Sequence, residues 1–146
     1  MYRKIMVLLD GSKTAECALG HVSDIAKGCN VPEVILLSVV EPLPGGLYQA
    51  CDEVRGKLEA WIQTYLAGVE KSLVKDGISA RSVVIGGKAA ETIVDYAEGN
   101  GIDLIIMSTH GRSGPTRWAF GSVADKVIRS SNVPVLLVSP EGCRIG

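Results

Sequence analysis

Short apolar runs alternate with amphipathic segments along the whole chain. Five runs are mostly apolar, as expected of strands buried on both faces of a parallel sheet, although the third alternates less cleanly. They cover residues 4–9, 33–40, 79–86, 103–108 and 134–138. Four segments place apolar residues at helical spacing, at about 13–28, 52–75, 89–98 and 122–130. This β-α alternation predicts an α/β fold, a doubly wound parallel sheet with helices on both faces.

The helix ends and helix faces have recognisable signals. Ser12 is predicted as the N-cap of the first helix, Gly28 as its end, and Ser122 as a plausible N-cap of the last helix. The two helices with the clearest apolar faces are expected to bury Val54, Leu58, Trp61, Ile62, Tyr65, Leu66, Val69 and Leu73 in one, and Val123, Val127 and Ile128 in the other.

Size and charge limit the function classes. The 146 residues are 47% hydrophobic and 21% charged, which suits one compact domain over residues 1–146 with a tail at 140–146. The net charge is −1 and no block of Lys or Arg stands out, so neither nucleic-acid binding nor attachment to an anionic membrane is indicated.

Location and thiol chemistry follow from short-range patterns. The apolar run near the N-terminus is too short for a signal-peptide core, and no window approaches the ~20 apolar residues of a membrane span, so we expect a cytoplasmic protein. The cysteines have no C-x-x-C spacing, which argues against a zinc or redox motif and for four reduced thiols. They are Cys17, Cys29, Cys51 and Cys143.

The stretch 103–123 is the strongest candidate for a ligand site. An apolar strand leads into a glycine-bearing loop, and a helix begins directly after it. The first amides of a helix lack intrahelical partners, so this order predicts a phosphate site. Other segments that leave strand ends are 10–12, 40–42 and 86–87. If the first and fourth strands are neighbours, Asp10 and the long loop share one crevice.

These residues resemble the universal stress protein family over about residues 2–139. The nucleotide-binding branch of that family carries Gly, two residues, Gly, nine residues, then Gly and Ser or Thr. Here Ser108 stands at the first glycine, Gly111 at the second, and Gly121-Ser122 at the end, between the runs at 4–12 and 132–138. The resemblance implies a sheet in the order 3-2-1-4-5 of the Rossmann-like, adenine nucleotide alpha hydrolase-like kind.

The resemblance also implies ATP binding, with ADP or AMP as alternatives and Mg²⁺ held through the phosphates. Asp10 would hold the ribose and adenine end, and the backbone of Val39 would bond the adenine edge. The loop would wrap the ribose and phosphates, with no catalytic residue and no protein-ligated metal implied. The implied ATP-binding residues are Leu8, Asp10, Val39, Met107, Ser108, Thr109, His110, Gly111, Arg112, Ser113, Gly114, Gly121, Ser122 and Val123.

Two of these residues have a second interpretation. Asp10 also suits an Asx-type turn at the start of the first helix. Ser108 in place of glycine would cost on the order of 1 kcal/mol if that position needs a positive φ, and little if it needs only a small residue.

Three functions follow as hypotheses. The first is an ATP-binding regulatory or stress-response module with little or no intrinsic hydrolysis, a homodimer that pairs through the strand at 134–138 and acts on an unknown regulatory protein. The second is an enzyme, either a slow ATPase or a nucleotidyl transferase. The absence of a Gly-x-x-x-x-Gly-Lys-[Ser/Thr] P-loop from the sequence argues against it. The third is a nucleotide-free dimeric interaction protein.

Overall fold

The computed structural model describes residues 2–42, 48–109 and 121–139, with side chains from residue 53 onward in the second range. Strands and helices alternate in the order that the sequence predicts. They are β1 (Lys4–Leu8), α1 (Lys13–Gly28), β2 (Glu33–Val40), α2 (Tyr48–Lys75), β3 (Ala80–Gly86), α3 (Ala89–Gly99), β4 (Leu104–Ser108), α4 (Ser122–Ser130) and β5 (Val135–Val138).

The strands form one parallel sheet in the order β3-β2-β1-β4-β5. Both the doubly wound architecture and the order 3-2-1-4-5 are therefore confirmed. β1 lies at the centre, between β2 and β4, and β3 and β5 form the two edges.

The sheet buries an apolar layer on each face. Successive side chains of a strand point to opposite faces, so Ile5 and Val7 of β1 pack with α1 and α2, whereas Met6 packs with α3 and α4. Every residue of β4 is buried. This burial on both faces explains why the central strands have continuous apolar sequences.

The start of α1 follows the predicted chemistry. The hydroxyl of Ser12 accepts a hydrogen bond from the N–H of Ala15 at 3.1 Å, and Gly28 is the last residue of the helix. The predicted N-cap is confirmed, and so is the predicted end.

α2 differs from its prediction in length and exposure. It begins at Tyr48, and Val54 is 54% exposed and Trp61 49% exposed, although both were expected on the buried face. A helix of 28 residues is about 42 Å long, far longer than the strands. The sheet therefore cannot cover the whole length of α2, and Val54, in an early turn, remains exposed.

Two smaller expectations also fail. Ile128 is 40% exposed because it lies about 100° around α4 from the fully buried Val127. Cys17 is disulfide-bonded, so the expectation of four reduced thiols is wrong for this residue, while Cys29 is free. Sulfur pairing depends on proximity in the fold, which the spacing of cysteines along the chain does not reveal.

Within the described ranges, no helix is both long enough and apolar enough to cross a membrane.

A carboxylate joins the amino ends of the two central strands. Asp103, just before β4, accepts hydrogen bonds from the backbone N–H groups of Arg3 (2.7 Å) and Lys4 (3.0 Å) at the start of β1. These two backbone bonds hold the pKa of Asp103 below its ordinary value. The carboxylate thus aligns β1 and β4 at the edge opposite the crevice that both strands border.

Asp103→Asn tests this link. The native pKa is lower than the unfolded one, so the stabilisation is complete above about pH 4 and is lost as the pH falls through the native value. We expect the variant to lower the free energy of unfolding by about 1 kcal/mol at neutral pH, and by progressively less in acid. Urea unfolding across a pH series measures this difference.

Asp24→Asn, at an exposed position of α1, serves as the matched control and should change little. A difference for Asp103→Asn that stays constant down to the lowest pH would contradict the role of its charge.

Candidate functional site

A crevice opens at the carboxyl edge of the sheet because β1 ends before its neighbours. The last paired residues are Leu8 with Leu37 on one side and Val7 with Ile106 on the other. β2 then continues to Val40, and β4 to Ser108. β1 is also the strand at which the order reverses, the place where doubly wound sheets bind ligands.

Main-chain groups of β2 line one wall of this crevice. Leu9 N–H donates to the carbonyl of Leu37 at 3.0 Å, so the backbone polar groups of Leu37 face β1. Because these groups alternate in direction along a strand, those of Val39 face the same side, past the last residue of β1 that pairs with β2. The N–H and C=O of Val39 therefore point into the crevice.

The same reasoning applies to β4 on the opposite wall. Thr109 N–H donates to the carbonyl of Val138 at 3.0 Å, so Thr109 faces β5. The backbone of Ser108 consequently faces the side of β1, past the final β1–β4 pair. The polar main-chain edges of Val39 and Ser108 thus border the crevice from its two sides.

The crevice contains a cavity of about 450 Å³, within the usual range for small-molecule sites. Its lining includes the predicted residues Leu8, Asp10, Val39, Met107, Ser108, Thr109, Gly121, Ser122 and Val123. The other predicted residues lie outside the described part of the chain: His110, Gly111, Arg112, Ser113 and Gly114.

The remaining lining residues were not among the predicted site residues, although the segment 40–42 was named as a strand end; they are Leu9, Ala15, Ser38, Val40, Glu41, Leu58, Ile62, Ala89, Ile93 and Ala124. Two of these residues have a feature that is visible in the sequence. Ser38 is the one polar residue inside the apolar run of β2 and is 3% exposed, and Glu41 directly follows that strand. Leu58 and Ile62 come from α2, and only the tertiary fold brings that helix to the cavity.

The N-terminus of α4 forms one end of the cavity. Gly121 is the N-cap and makes no side-chain cap hydrogen bond, so the prediction of Ser122 as N-cap is wrong: Ser122 is the first helical residue. The first amides of a helix have no intrahelical acceptor. With no capping side chain among the described residues, these amides suit an anionic ligand group.

The loop between β4 and α4 has its two ends joined. Gly121 N–H donates to the carbonyl of Thr109 at 2.8 Å. This bond holds the start of α4 beside the end of β4.

Ser108 adopts ordinary strand geometry. It belongs to β4, and the one non-glycine residue with a positive φ in the described part is Asn30. The conformational cost considered for a serine at this position therefore does not arise.

Asp10 forms the turn that joins β1 to α1. Its Oδ1 accepts from the N–H of Ser12 at 2.8 Å, which confirms the Asx-type turn. Asp10 also lines the cavity. The turn thus sets the position of a carboxylate at the centre of the crevice.

α2 packs on this turn through an aromatic pair. Gly11 has φ +85°, and a Cβ built on it would overlap Cη2 of the Trp61 ring. Trp61 stacks on Tyr65, with ring centroids 5.9 Å apart, and the Tyr65 hydroxyl donates to Glu16 of α1 at 2.6 Å. Burial, followed by this bond to Glu16, raises the pKa of Tyr65. α2 therefore packs against the turn through Trp61.

The charged lining of the cavity has one sign. Asp10 and Glu41 contribute carboxylates, and no Lys, Arg or His is among the described lining residues. Glu41 is held in place because its Oε1 accepts from the N–H of Ala89, the first residue of α3, at 3.1 Å. A complementary ligand would have hydrogen-bond donors near these carboxylates and an anionic group at the N-terminus of α4.

The fold and the crevice define a doubly wound α/β protein with a cavity at its topological switch point. The family model described as the universal stress protein family matches residues 1–139. The chain therefore belongs to the universal stress protein family.

Individual relatives agree with this assignment. The universal stress protein MJ0577 of Methanocaldococcus jannaschii is 34% identical, over 94% of this chain and 95% of that protein. The solved structure of MJ0577 superimposes with a TM-score of 0.88 at 36% identity, over 95% of this chain and 96% of that one.

More distant structures share the fold. A universal stress protein in complex with cAMP has a TM-score of 0.72 at 22% identity and covers 94% of this chain and 97% of its own. A family member from Arabidopsis thaliana with AMP bound has a TM-score of 0.68 at 14% identity and covers 93% of this chain and 90% of its own.

Gly11→Ala tests whether the packing of Trp61 constrains the turn. The substitution places a Cβ both at a positive φ and against the Trp61 ring, so we expect a loss of free energy of unfolding well above the ~1 kcal/mol that the backbone conformation alone costs. In a Trp61→Ala background the loss should fall toward that value. Urea unfolding of the four proteins of this double-mutant cycle gives the coupling.

Gly77→Ala is the matched control, because Gly77 has the same φ of +85° but no atom within 4 Å of an added Cβ. Equal losses at Gly11 and Gly77 would show that Trp61 does not constrain the turn.

Proposed function

We propose that this protein is an ATP-binding universal stress protein that acts as a nucleotide-dependent regulatory module in the stress response, with little or no intrinsic hydrolysis. Residues 1–146 would work as one nucleotide-binding domain in the cytoplasm. The observation that carries the proposal is the pairing of two features across one cavity. The main-chain edge of Val39 faces it from β2, and the N-terminus of α4, with no capping side chain in the described chain, closes its other end.

The base would lie against the end of β2. Adenine presents a hydrogen-bond acceptor, N1, beside a donor, the 6-amino group. The N–H and C=O of Val39 offer the complementary pair, and apolar side chains such as Ile93 and Met107 line the same cavity. A flat apolar ring with one polar edge therefore suits this end.

The sugar and phosphates would follow the floor of the crevice toward α4. Asp10 lies at the end of β1, between the two walls, where its carboxylate suits the hydroxyl groups of a ribose. The backbone N–H groups of Ser122 and Val123 would then donate hydrogen bonds to the phosphates. The predicted loop residues His110, Gly111, Arg112, Ser113 and Gly114 would complete the phosphate site, with Mg²⁺ held mainly by phosphate oxygens and water.

The helix end alone does not account for tight binding. A helix N-terminus stabilises an anion by roughly 0.3–1 kcal/mol, whereas micromolar affinity requires about 8 kcal/mol. Several charge-assisted amide bonds and burial of the base must supply the rest. The distant relatives with bound cAMP and AMP support the proposal at the level of the fold.

A regulatory output would use the loop between β4 and α4. Its ends are joined by the bond between Gly121 and Thr109, beside the proposed phosphate position. Phosphates bound there would contact the loop directly. Nucleotide occupancy would thus change the surface that residues 110–120 present to a regulatory partner protein.

The proposed homodimer pairs through β5. The other edge strand, β3, is partly covered, because Glu70 of α2 accepts hydrogen bonds from both the N–H (3.1 Å) and the hydroxyl (2.6 Å) of Ser82. On β5, the carbonyls of Pro134 and Val138 bond to β4, so the backbone groups of Val135 and Leu137 face outward. An apolar edge of this kind pairs with a second copy of itself.

The first test is calorimetric titration of nucleotide-stripped protein with Mg-ATP, for which we expect a Kd in the micromolar range or tighter. Ser122→Pro should weaken binding about tenfold or more, because it removes one amide donor. Proline is tolerated at the first helical position, and Gly121 already has the extended ψ of 153° that a following proline requires.

Ser122→Ala is the matched control, since it removes the hydroxyl and keeps the amide. Equal losses in the two variants would assign the contact to the hydroxyl rather than to the helix amide. Failure of the wild-type protein to bind at millimolar Mg-ATP would refute the proposed function and favour the nucleotide-free interaction protein. Phosphate release in the same samples would revive the slow ATPase.

The dimer is tested by Leu137→Pro. This substitution removes an outward N–H while leaving the β4–β5 hydrogen bonds in place, so light scattering should show a dimer for the wild type and a monomer for the variant. Leu137→Ala truncates the same side chain but keeps the N–H, and it should remain dimeric. A wild-type monomer at micromolar concentration would exclude pairing through β5.

A further inference from the structure

The carboxylate of Glu41 lies at the exposed rim of the cavity and is held by a backbone hydrogen bond. Its Oε1 accepts from the N–H of Ala89 at 3.1 Å, and both residues line the cavity. α3 has Lys88 as its N-cap, without a side-chain cap hydrogen bond, so Glu41 supplies the cap from another element. A second hydrogen bond holds the end of β2: Gly87 N–H donates to the carbonyl of Val40 at 3.0 Å. Glu41 is therefore held by the fold at the β2 end of the cavity.

Glu41 lies on the same face of β2 as Val39. Alternate residues of a strand share a face, and Ile35, Leu37 and Val39 all pack with α3 and α4. Glu41 continues this series, as its bond to the first residue of α3 requires. A base bonded to the main chain of Val39 consequently has Glu41 beside its polar edge.

One oxygen of the Glu41 carboxylate accepts a hydrogen bond from α3, and the other can accept a hydrogen bond from a ligand. The described chain contains no hydrogen bond to Oε2 of Glu41, and Oε1 is engaged by Ala89. An ionised carboxylate accepts hydrogen bonds and donates none. The position therefore favours a ligand group with an N–H and disfavours a carbonyl oxygen or a phosphate.

We propose that Glu41 is a specificity-determining residue that accepts a hydrogen bond from the exocyclic 6-amino group of an adenine base and selects against 6-oxopurines. This inference rests on the proposed function. The main chain of Val39 engages one N–H of that amino group together with N1, and Glu41 engages the second N–H.

The test is Glu41→Gln, read with three ligands by calorimetry: ATP, ITP and purine riboside triphosphate. Gln retains a carbonyl oxygen for the Ala89 N–H, which turns its NH₂ group toward the ligand and replaces an acceptor by a donor. ATP should bind about tenfold more weakly to the variant. Purine riboside triphosphate has no 6-substituent and should be unchanged, and ITP, with an oxygen at this position, should bind no more weakly than before.

Glu91→Gln is the matched control, because it removes the same charge from an exposed position of α3 outside the cavity lining. It should leave all three affinities unchanged. Equal changes for the three ligands in Glu41→Gln, or no change for ATP, would overturn the role of Glu41 while leaving ATP binding intact. A wild-type protein that binds none of the three would overturn the proposed function and this inference with it.

Discussion

The candidate site depends on a difference in strand length. β1 ends at Leu8, while β2 and β4 on either side continue to Val40 and Ser108. The backbone polar groups of Val39 and Ser108 lie past the last residues of β1 that pair with these two strands. The main-chain edges of Val39 and Ser108 therefore form a polar frame around the crevice.

Other features of the molecule position this frame. Asp103 joins β1 to β4 at the opposite edge through two backbone bonds. Trp61 and Gly11 hold the turn that carries Asp10, and Glu41 links β2 to α3. Each contact connects two elements that border the cavity. The residues that would touch the ligand are thus supported by contacts made outside it.

The charge distribution around the cavity is asymmetric. Two carboxylates, Asp10 and Glu41, lie toward β1 and β2, and the positive end of the α4 dipole lies across from them. A nucleotide has the opposite arrangement, with hydrogen-bond donors on its base and ribose and negative charge on its phosphates. The structures with bound cAMP and AMP share the fold, and the proposed nucleotide ligand follows from this complementarity.

The amino-acid sequence alone determined the order of strands and helices and the strand ends that could bear a site, because burial on two faces imposes long apolar runs and helices impose their own period. Resemblance to the family predicted the strand order, which the structure confirms, and led to the proposal of a nucleotide ligand. Only the tertiary structure decided that Gly121 rather than Ser122 caps α4, that Trp61 covers Gly11, that Cys17 is disulfide-bonded, and that Glu41 is held by Ala89. Each of these depends on contacts between residues far apart in the chain, or on local backbone angles that several residue types permit, and neither leaves a periodic signal in the sequence.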